Sequence, residues 1–223
     1  MIKLLKWVTL ITALIASYFS GMYSNHFLQI PSQPTNFADT TSAIAALIGV
    51  IVATITITNW KKTKIQEDSY QLIKNYVAEL VLIETTVMEM LIEIRSICPL
   101  PGNAVPSQVF VAETFQNFDT LQKSLSKLHR QIHQTKSELP FWGSKLTPIH
   151  EEHHVNLSNE LYNFELVGNC LRNNLQNFFT NNLSTIAQVT REYEKLEEYF
   201  RIIQTILAGR KASKMSDIFT MGN

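Results

Sequence analysis

From residue 65 onward, apolar residues recur at alternating intervals of three and four, the spacing that gathers them on one face of a helix. Four such stripes can be traced. The first runs Ile73, Tyr76, Leu80, Ile83, Val87, Met90, Ile94 and Ile97, and the second Phe118, Leu121, Leu125, Leu128 and Ile132. The third is Leu157, Leu161, Phe164, Gly168, Leu171, Leu175 and Phe178, and the fourth Ile186, Val189, Tyr193, Leu196, Phe200, Ile203 and Leu207. Sustained heptad spacing specifies left-handed, coiled-coil-like packing at crossing angles of about +20°. Helix-breaking residues separate the stripes: Pro99, Pro101, Gly102 and Pro106, then Pro140, Gly143 and Pro148, then an Asn-rich turn around Thr180 to Asn182. Helices are therefore expected over about 65–98, 107–139, 149–180 and 183–212. Short connections favour antiparallel neighbours. Alternating apolar/polar runs bounded by turn signals are missing, so strands are not expected.

The first 64 residues carry a different pattern. Trp7 to Tyr23 holds no charge and, with Leu4 and Leu5, reaches the ~20 residues that a helix needs to cross about 30 Å of hydrocarbon. A second uncharged run, Thr41 to Thr58, ends at Trp60 and is followed by Lys61, Lys62 and Lys64. Spans are expected at about 4–23 and 41–60. Lys3 and Lys6 precede the first and the lysine cluster follows the second, whereas Ser24 to Thr40 contains no Lys or Arg, so the positive-inside rule puts both termini in the cytoplasm. Trp7, Tyr18, Tyr23 and Trp60 stand near the span ends as interface aromatics. A cleaved signal peptide is the alternative for the first span, although Tyr18 and Phe19 occupy the place of a small-residue cleavage site. The expected fold is an all-α membrane protein, with a two-helix transmembrane hairpin over 1–64 and a cytoplasmic antiparallel four-helix bundle over 65–223. No Gly or Pro lies between Gly49 and Pro99, so the second span should run straight into the first bundle helix.

Charge narrows the partners. Five of the 19 Lys/Arg and one of the 19 Asp/Glu fall in the first 64 residues, leaving 14 against 18 and a net charge of −4 in the remainder. Such a domain is a poor ligand for nucleic acid. The only cysteines, Cys98 and Cys170, form no C-x-x-C pair, which argues against a disulfide framework or a thiolate zinc site. Neither uncharged run, Trp7 to Tyr23 or Thr41 to Thr58, holds an Asp, Glu, Lys, Arg or His, so the intramembrane ionisable groups of proton relays and many transporters are missing. An outer loop of about 17 residues is too short for an extracellular ligand-binding domain.

Small residues recur four apart in both spans: Ala13, Ser17 and Gly21 in the first, Ala45, Gly49 and Ala53 in the second. Such stripes let helix backbones approach closely in lipid, either within the hairpin or between copies. At the cytoplasmic interface, Phe141, Trp142 and Lys145 are expected to reach the headgroups from the turn between the second and third bundle helices. Arg210, Lys211 and Lys214 should join Lys61, Lys62 and Lys64 in a basic collar suited to anionic lipid, or else cap a solvated helix end.

Two pairs of histidines carry candidate chemistry. His150-Glu151-Glu152-His153-His154 formally matches H-E-x-x-H, in which two His one turn apart hold zinc and the Glu activates water. Charged residues in the middle positions and Pro148 just before the motif depart from the zinc-protease pattern. His129 and His133 also lie one turn apart, and an antiparallel hairpin folding about Trp142 would bring them near His150 and His154. Four imidazoles meeting there could make a structural zinc site or a proton-sensitive joint; surface or capping histidines are the plainer reading. A di-iron site needs two Glu-x-x-His pairs and only Glu151 to His154 supplies one. No Gly-rich phosphate loop, nucleophile elbow or Cys/His pair is present.

These features lead to a non-enzymatic membrane effector or signalling subunit, its bundle binding a cytoplasmic protein and its small-residue helices associating with each other or perturbing the bilayer. In architecture the chain resembles the small two-span proteins that act as toxic effectors in bacterial antiphage systems, including some retron systems, which implies an inner-membrane location and a role in antiviral defence. The alternatives are a passive membrane anchor for a cytoplasmic partner and a zinc-dependent membrane hydrolase using His150, Glu151 and His154. No cofactor is expected under the first two, and zinc only under the third.

Overall fold

The computed structural model describes residues 37–100, 105–181 and 184–221. These residues are nearly all helical: α1 (Phe37–Ile97), α2 (Gln108–Glu138), a 3-10 turn (Leu139–Trp142), β1 (Ser144–Leu146), α3 (Pro148–Asn181), α4 (Ile186–Lys211), α5 (Met215–Ile218) and β2 (Phe219–Met221). The first expected span, with Ala13, Ser17 and Gly21, lies outside the described residues. Among those described, one helix is long and apolar enough to cross a membrane, α1 from Ile44 onward. Contacts divide the chain after Trp60 into a unit ending there and a unit running from Lys61 to Asn223.

Local sequence explains the helix ends. α1 stops at Ile97 because Pro99 has no amide hydrogen and disfavours helical geometry at Cys98. Ser107 caps α2, its hydroxyl accepting from the Phe110 amide at 3.2 Å. Pro148 opens α3 at the position where a missing amide hydrogen costs nothing. Thr185 and Gln188 form a reciprocal capping box at the start of α4.

In the unit from Lys61, all eight α1 stripe residues from Ile73 to Ile97 are buried, as are Phe118, Leu125, Leu128 and Ile132 on α2. Leu157, Leu161, Phe164, Leu171 and Leu175 on α3 and Val189, Tyr193, Leu196, Ile203 and Leu207 on α4 complete one shared core. Ile186 departs from its stripe: it is the first residue of α4, before the helix reaches its neighbours, and is 54% exposed. Gly168 lets α2 close in, since a Cβ there would stand 3.2 Å from the Phe118 ring. Cross-helix contacts show the up-down-up-down order. Glu79 on α1 accepts from Thr135 near the end of α2, Ser126 on α2 bonds Glu165 on α3, and Lys211 at the end of α4 pairs with Glu84 on α1 at 2.6 Å.

The expectation of no strands is corrected. Gly143, at φ 78°, turns the chain out of the 3-10 segment into β1, which pairs antiparallel with β2, Ser144 opposite Met221 and Leu146 opposite Phe219. Each strand has three residues, too few for alternation to register in the sequence. This ribbon closes one end of the bundle. Ser144 shares a hydrogen bond with Ser69 of α1, and the Thr147 amide donates to the Ile218 carbonyl at 2.9 Å.

The basic collar is also corrected. Lys211 is level with Glu84, twenty residues past Lys64, or about 30 Å further along α1. Lys64 instead pairs with Glu67 and Asp68 of its own helix. Arg210 is not a surface residue at all, being 4% exposed. Lys61, Lys62, Trp60 and Phe141 are exposed, and Trp142 is half-buried with its ring edge-on to Phe141.

Candidate functional site

At the ribbon-closed end, polar side chains from all four long helices meet: Tyr76, His154 and Arg210 in the apolar core, His129 and Ser158 half-buried, and His133 at the surface. Arg210 of α4 lies over the Tyr76 ring, 5.7 Å from its centre, and its Nη1 donates to the Tyr76 hydroxyl at 2.9 Å. Nη2 reaches the His150 carbonyl at 3.4 Å. Both acceptors are neutral, so the guanidinium keeps its positive charge uncompensated at close range. Phe219 of β2 packs edge-on against the other side of Tyr76, 5.8 Å between ring centres.

From Tyr76 the contacts continue without a gap. The phenol oxygen is 2.9 Å from Nδ1 of His154, and Nε2 of His154 is 3.2 Å from Nδ1 of His133. Nε2 of His133 and Nε2 of His129 each lie 2.8 Å from the Ser158 hydroxyl. Nδ1 of His129 faces Oε1 of Glu165 at 3.4 Å, and the other carboxylate oxygen accepts from Ser126. One register sets this ladder: with α2 and α3 antiparallel, His133 opposite His154 brings His129 opposite Ser158 and Gln122 opposite Glu165.

One placement of protons satisfies every hydrogen bond. Arg210 donates to Tyr76, Tyr76 to His154, His154 to His133, His133 to Ser158, and Ser158 to His129, whose remaining nitrogen lies 3.4 Å from Glu165 Oε1 without a hydrogen bond. All three imidazoles are then neutral. The reverse placement leaves the buried Tyr76 proton without an acceptor and turns a bare Nδ1 lone pair toward the Glu165 carboxylate. The chain thus has a direction, from the Arg210 guanidinium to His129. Burial first, then the positive field of its neighbours, holds His154 far below the ordinary histidine range, at about 3. Burial likewise pushes His133 down, helped by His129 and Lys136, and His150 down, helped by His153 and Arg210.

Three of the four histidines singled out by the sequence therefore come together, and the fourth does not. His150 turns aside, its Nδ1 2.9 Å from the Thr147 hydroxyl and its ring against His153. Thr147 donates to the Asp217 carbonyl, so it accepts from His150. Glu151 is committed to Lys136. Residues His150, Glu151 and His154 accordingly share no common point for an ion and a water, and the zinc-hydrolase arrangement is not formed. Among the described residues, no group of three or more His, Cys, Asp or Glu is placed to hold a metal ion.

Ser158, His129 and Glu165 have the order of a nucleophile, a base and its orienting acid. Ser158 sits in the middle of α3, however, where backbone amides are bound within the helix and none is free to stabilise an oxyanion. What this set can do is bind, release and pass protons. Tyr76, Ser158, Glu165 and Arg210 were not among the sequence's candidate site residues in this role. Ser158 lies one turn after His154 and Glu165 two turns after that, so a polar line running beside the α3 stripe was the available signal.

At the other end of the bundle, an open groove of about 810 Å³ lies between α2 and α3. Its Arg172 is engaged by both oxygens of Asp119 at 3.0 Å and stacks over Phe115. Cys98 is buried, its thiol pushed up to about 12, and Cys170 is exposed. Comparison with family models, with curated proteins and with solved structures gives no match to this chain.

Proposed function

We propose that this protein is a membrane-anchored, non-enzymatic effector or signalling subunit. The N-terminal part of α1 lies in the bilayer, with the expected first span beside it, and the bundle from Ser69 onward stands in the bacterial cytoplasm and responds to a partner. One observation carries this reading: no residue of the apolar start of α1 is buried. Leu47, Ile48, Val50, Val52, Ile55 and Ile57 are 45–65% exposed, and the most apolar 18-residue window of the helix has nothing buried. A water-facing helix does not present a long run of unburied apolar side chains on more than one face. The polar atoms of this stretch suit lipid as well, because Thr54, Thr56 and Thr58 donate to the carbonyls one turn back, those of Val50, Val52 and Thr54, at 2.7–2.8 Å.

Self-association through Ala45, Gly49 and Ala53 would let the membrane helices respond to the bundle. A Cβ at Gly49 would meet nothing within 4 Å, so Gly49→Leu tests contacts between helices without disturbing this one. The experiment is membrane depolarisation on overexpression. Depolarisation by the natural protein and its loss in Gly49→Leu are expected. Undiminished depolarisation in the variant removes the stripe's role, and no depolarisation by either protein leaves only the passive-anchor reading.

A further inference from the structure

The hydrogen-bonded chain from Arg210 to His129 crosses every long helix of the bundle, and its hydrogen bonds have one direction. That makes it intolerant of an added proton. With a second proton on His133, its Nδ1–H would face the Nε2–H of His154 across 3.2 Å, donor against donor. With a second proton on His154, its Nδ1–H would meet the phenol that now donates to it, and the Tyr76 proton would have nowhere to go.

We propose that this joint is a proton-triggered latch: a proton taken up at His133 or His154 breaks the contacts fastening α2 and α3 to each other and to α1, and opens the ribbon-closed end of the bundle. The inference concerns the bundle alone, so it stands or falls separately from the membrane reading.

The groups surrounding the latch all bear on the result. From α1 come the Tyr76 phenol and Glu79, whose carboxylate accepts from Thr135. From α2 come His129 and Lys136, both of which oppose a charge on His154. α3 contributes Glu151, already paired with Lys136, and His150 and His153 on the turn before His154. α4 brings Arg210, a fixed buried cation, and the end of α5 brings Asp217, which favours a charge on His150. β2 offers only the apolar Phe219. Glu151 is paired with Lys136, and Glu79 is held by Thr135 at one oxygen and unpartnered at the other; the close charged neighbours of His154 all oppose a positive charge on it. The cheapest place for the proton is an opened joint, in which water reaches buried His154 and its affinity returns to the ordinary range of about 6.5.

For His154 alone, a folded value of about 3 against ~6.5 in water makes the open form roughly tenfold more populated at pH 5.5 than at pH 7.5. His133 shifts in the same direction and adds to this.

Hydrogen–deuterium exchange on the full chain in detergent tests the latch, with rates corrected for intrinsic exchange at each pH. Amides of residues 129–142 and 148–158 are expected to exchange at least about tenfold faster at pH 5.5 than at pH 7.5, while residues 87–97 and 189–200 change little. His133→Gln, at an exposed site, should reduce the pH response, and His154→Gln should reduce it further. Unchanged protection of the natural protein between the two pH values overturns the proposal, as does a pH response in His133→Gln and in His154→Gln as large as that of the natural protein. Should His154→Gln fail to fold, the ¹³C-histidine spectrum of the natural protein decides: His154 titrating near 6.5 within the closed bundle contradicts the latch.

Discussion

The Nη1 of Arg210 donates to the hydroxyl of Tyr76 at 2.9 Å, joining the last turn of α4 to the second buried position of the α1 stripe, 134 residues apart in sequence. The bond explains how an arginine comes to be 4% exposed in a core of leucine and isoleucine. Its aliphatic stem and planar face cover the phenol ring while the head uses the ring's hydroxyl and a main-chain carbonyl. Removing that hydroxyl leaves a buried cation and a buried imidazole each short of a partner. Tyr76→Phe is therefore expected to lower stability by about 1–3 kcal/mol, although it adds no cavity. Urea unfolding of the detergent-solubilised protein reads the effect, and a loss below about 0.5 kcal/mol would show that water replaces the phenol at no cost.

Stability should fall as the solution is acidified below neutrality. His133, His150 and His154 bind protons less readily folded than unfolded, so their contribution is fully present above the ordinary value of 6.5. It is lost progressively as pH drops from there toward their folded values, which for His154 is about 3. In that window buried His154 alone gives a slope of about 1.4 kcal/mol per pH unit. The urea midpoint measured from pH 8 to pH 4.5 should be flat above about 7 and decline below 6.5. A midpoint that rises on acidification contradicts the neutral assignment of these rings.

Gly168 is where α3 and α2 approach most closely among the described glycines, with Phe118 3.2 Å from the place of a Cβ. A methyl group can be absorbed by a small shift of the ring. A branched side chain cannot, because Leu196 bounds the same space at 3.8 Å. Gly168→Leu is expected to cost about 2–3 kcal/mol, and Gly168→Ala much less. Equal effects of the two substitutions on thermal unfolding would count against the close approach.

The ribbon is expected to matter more than its three-residue strands suggest. Phe219 is buried and rests on Tyr76, so Phe219→Ala should destabilise the protein by about 3 kcal/mol. It should also release the amides of residues 144–147 to exchange before those of the distal core. Uniform loss of protection across the bundle would show that β2 is not a local clasp.

Much of the bundle is legible in the sequence. The stripes of α1 and α3 were read residue by residue because heptad spacing is a local property, and the Pro and Gly breaks marked the helix ends to within three residues. The site was legible only in part. His129, His133 and His154 converge as antiparallel folding requires, since each pair sits one turn apart on a face fixed by its stripe. His150, one turn nearer the start of α3, falls against Thr147 and the end of α5, and nothing in its own spacing foretells that element. Arg210 misled for the same reason: a cation in the last turn of a helix ordinarily faces water, and its burial depends on Tyr76 and the His150 carbonyl, both remote in sequence. The ribbon left no periodic trace at all.

Sedimentation after alkaline carbonate extraction bears most directly on the central claim that the exposed apolar start of α1 resides in a bilayer. Membranes from cells making the full chain are washed at high pH, which strips proteins held by charge or by a partner, and the pellet is then treated with detergent. The protein is expected to stay in the carbonate-washed pellet and to be released only by detergent. Its recovery in the carbonate supernatant would show that α1 does not sit in a bilayer.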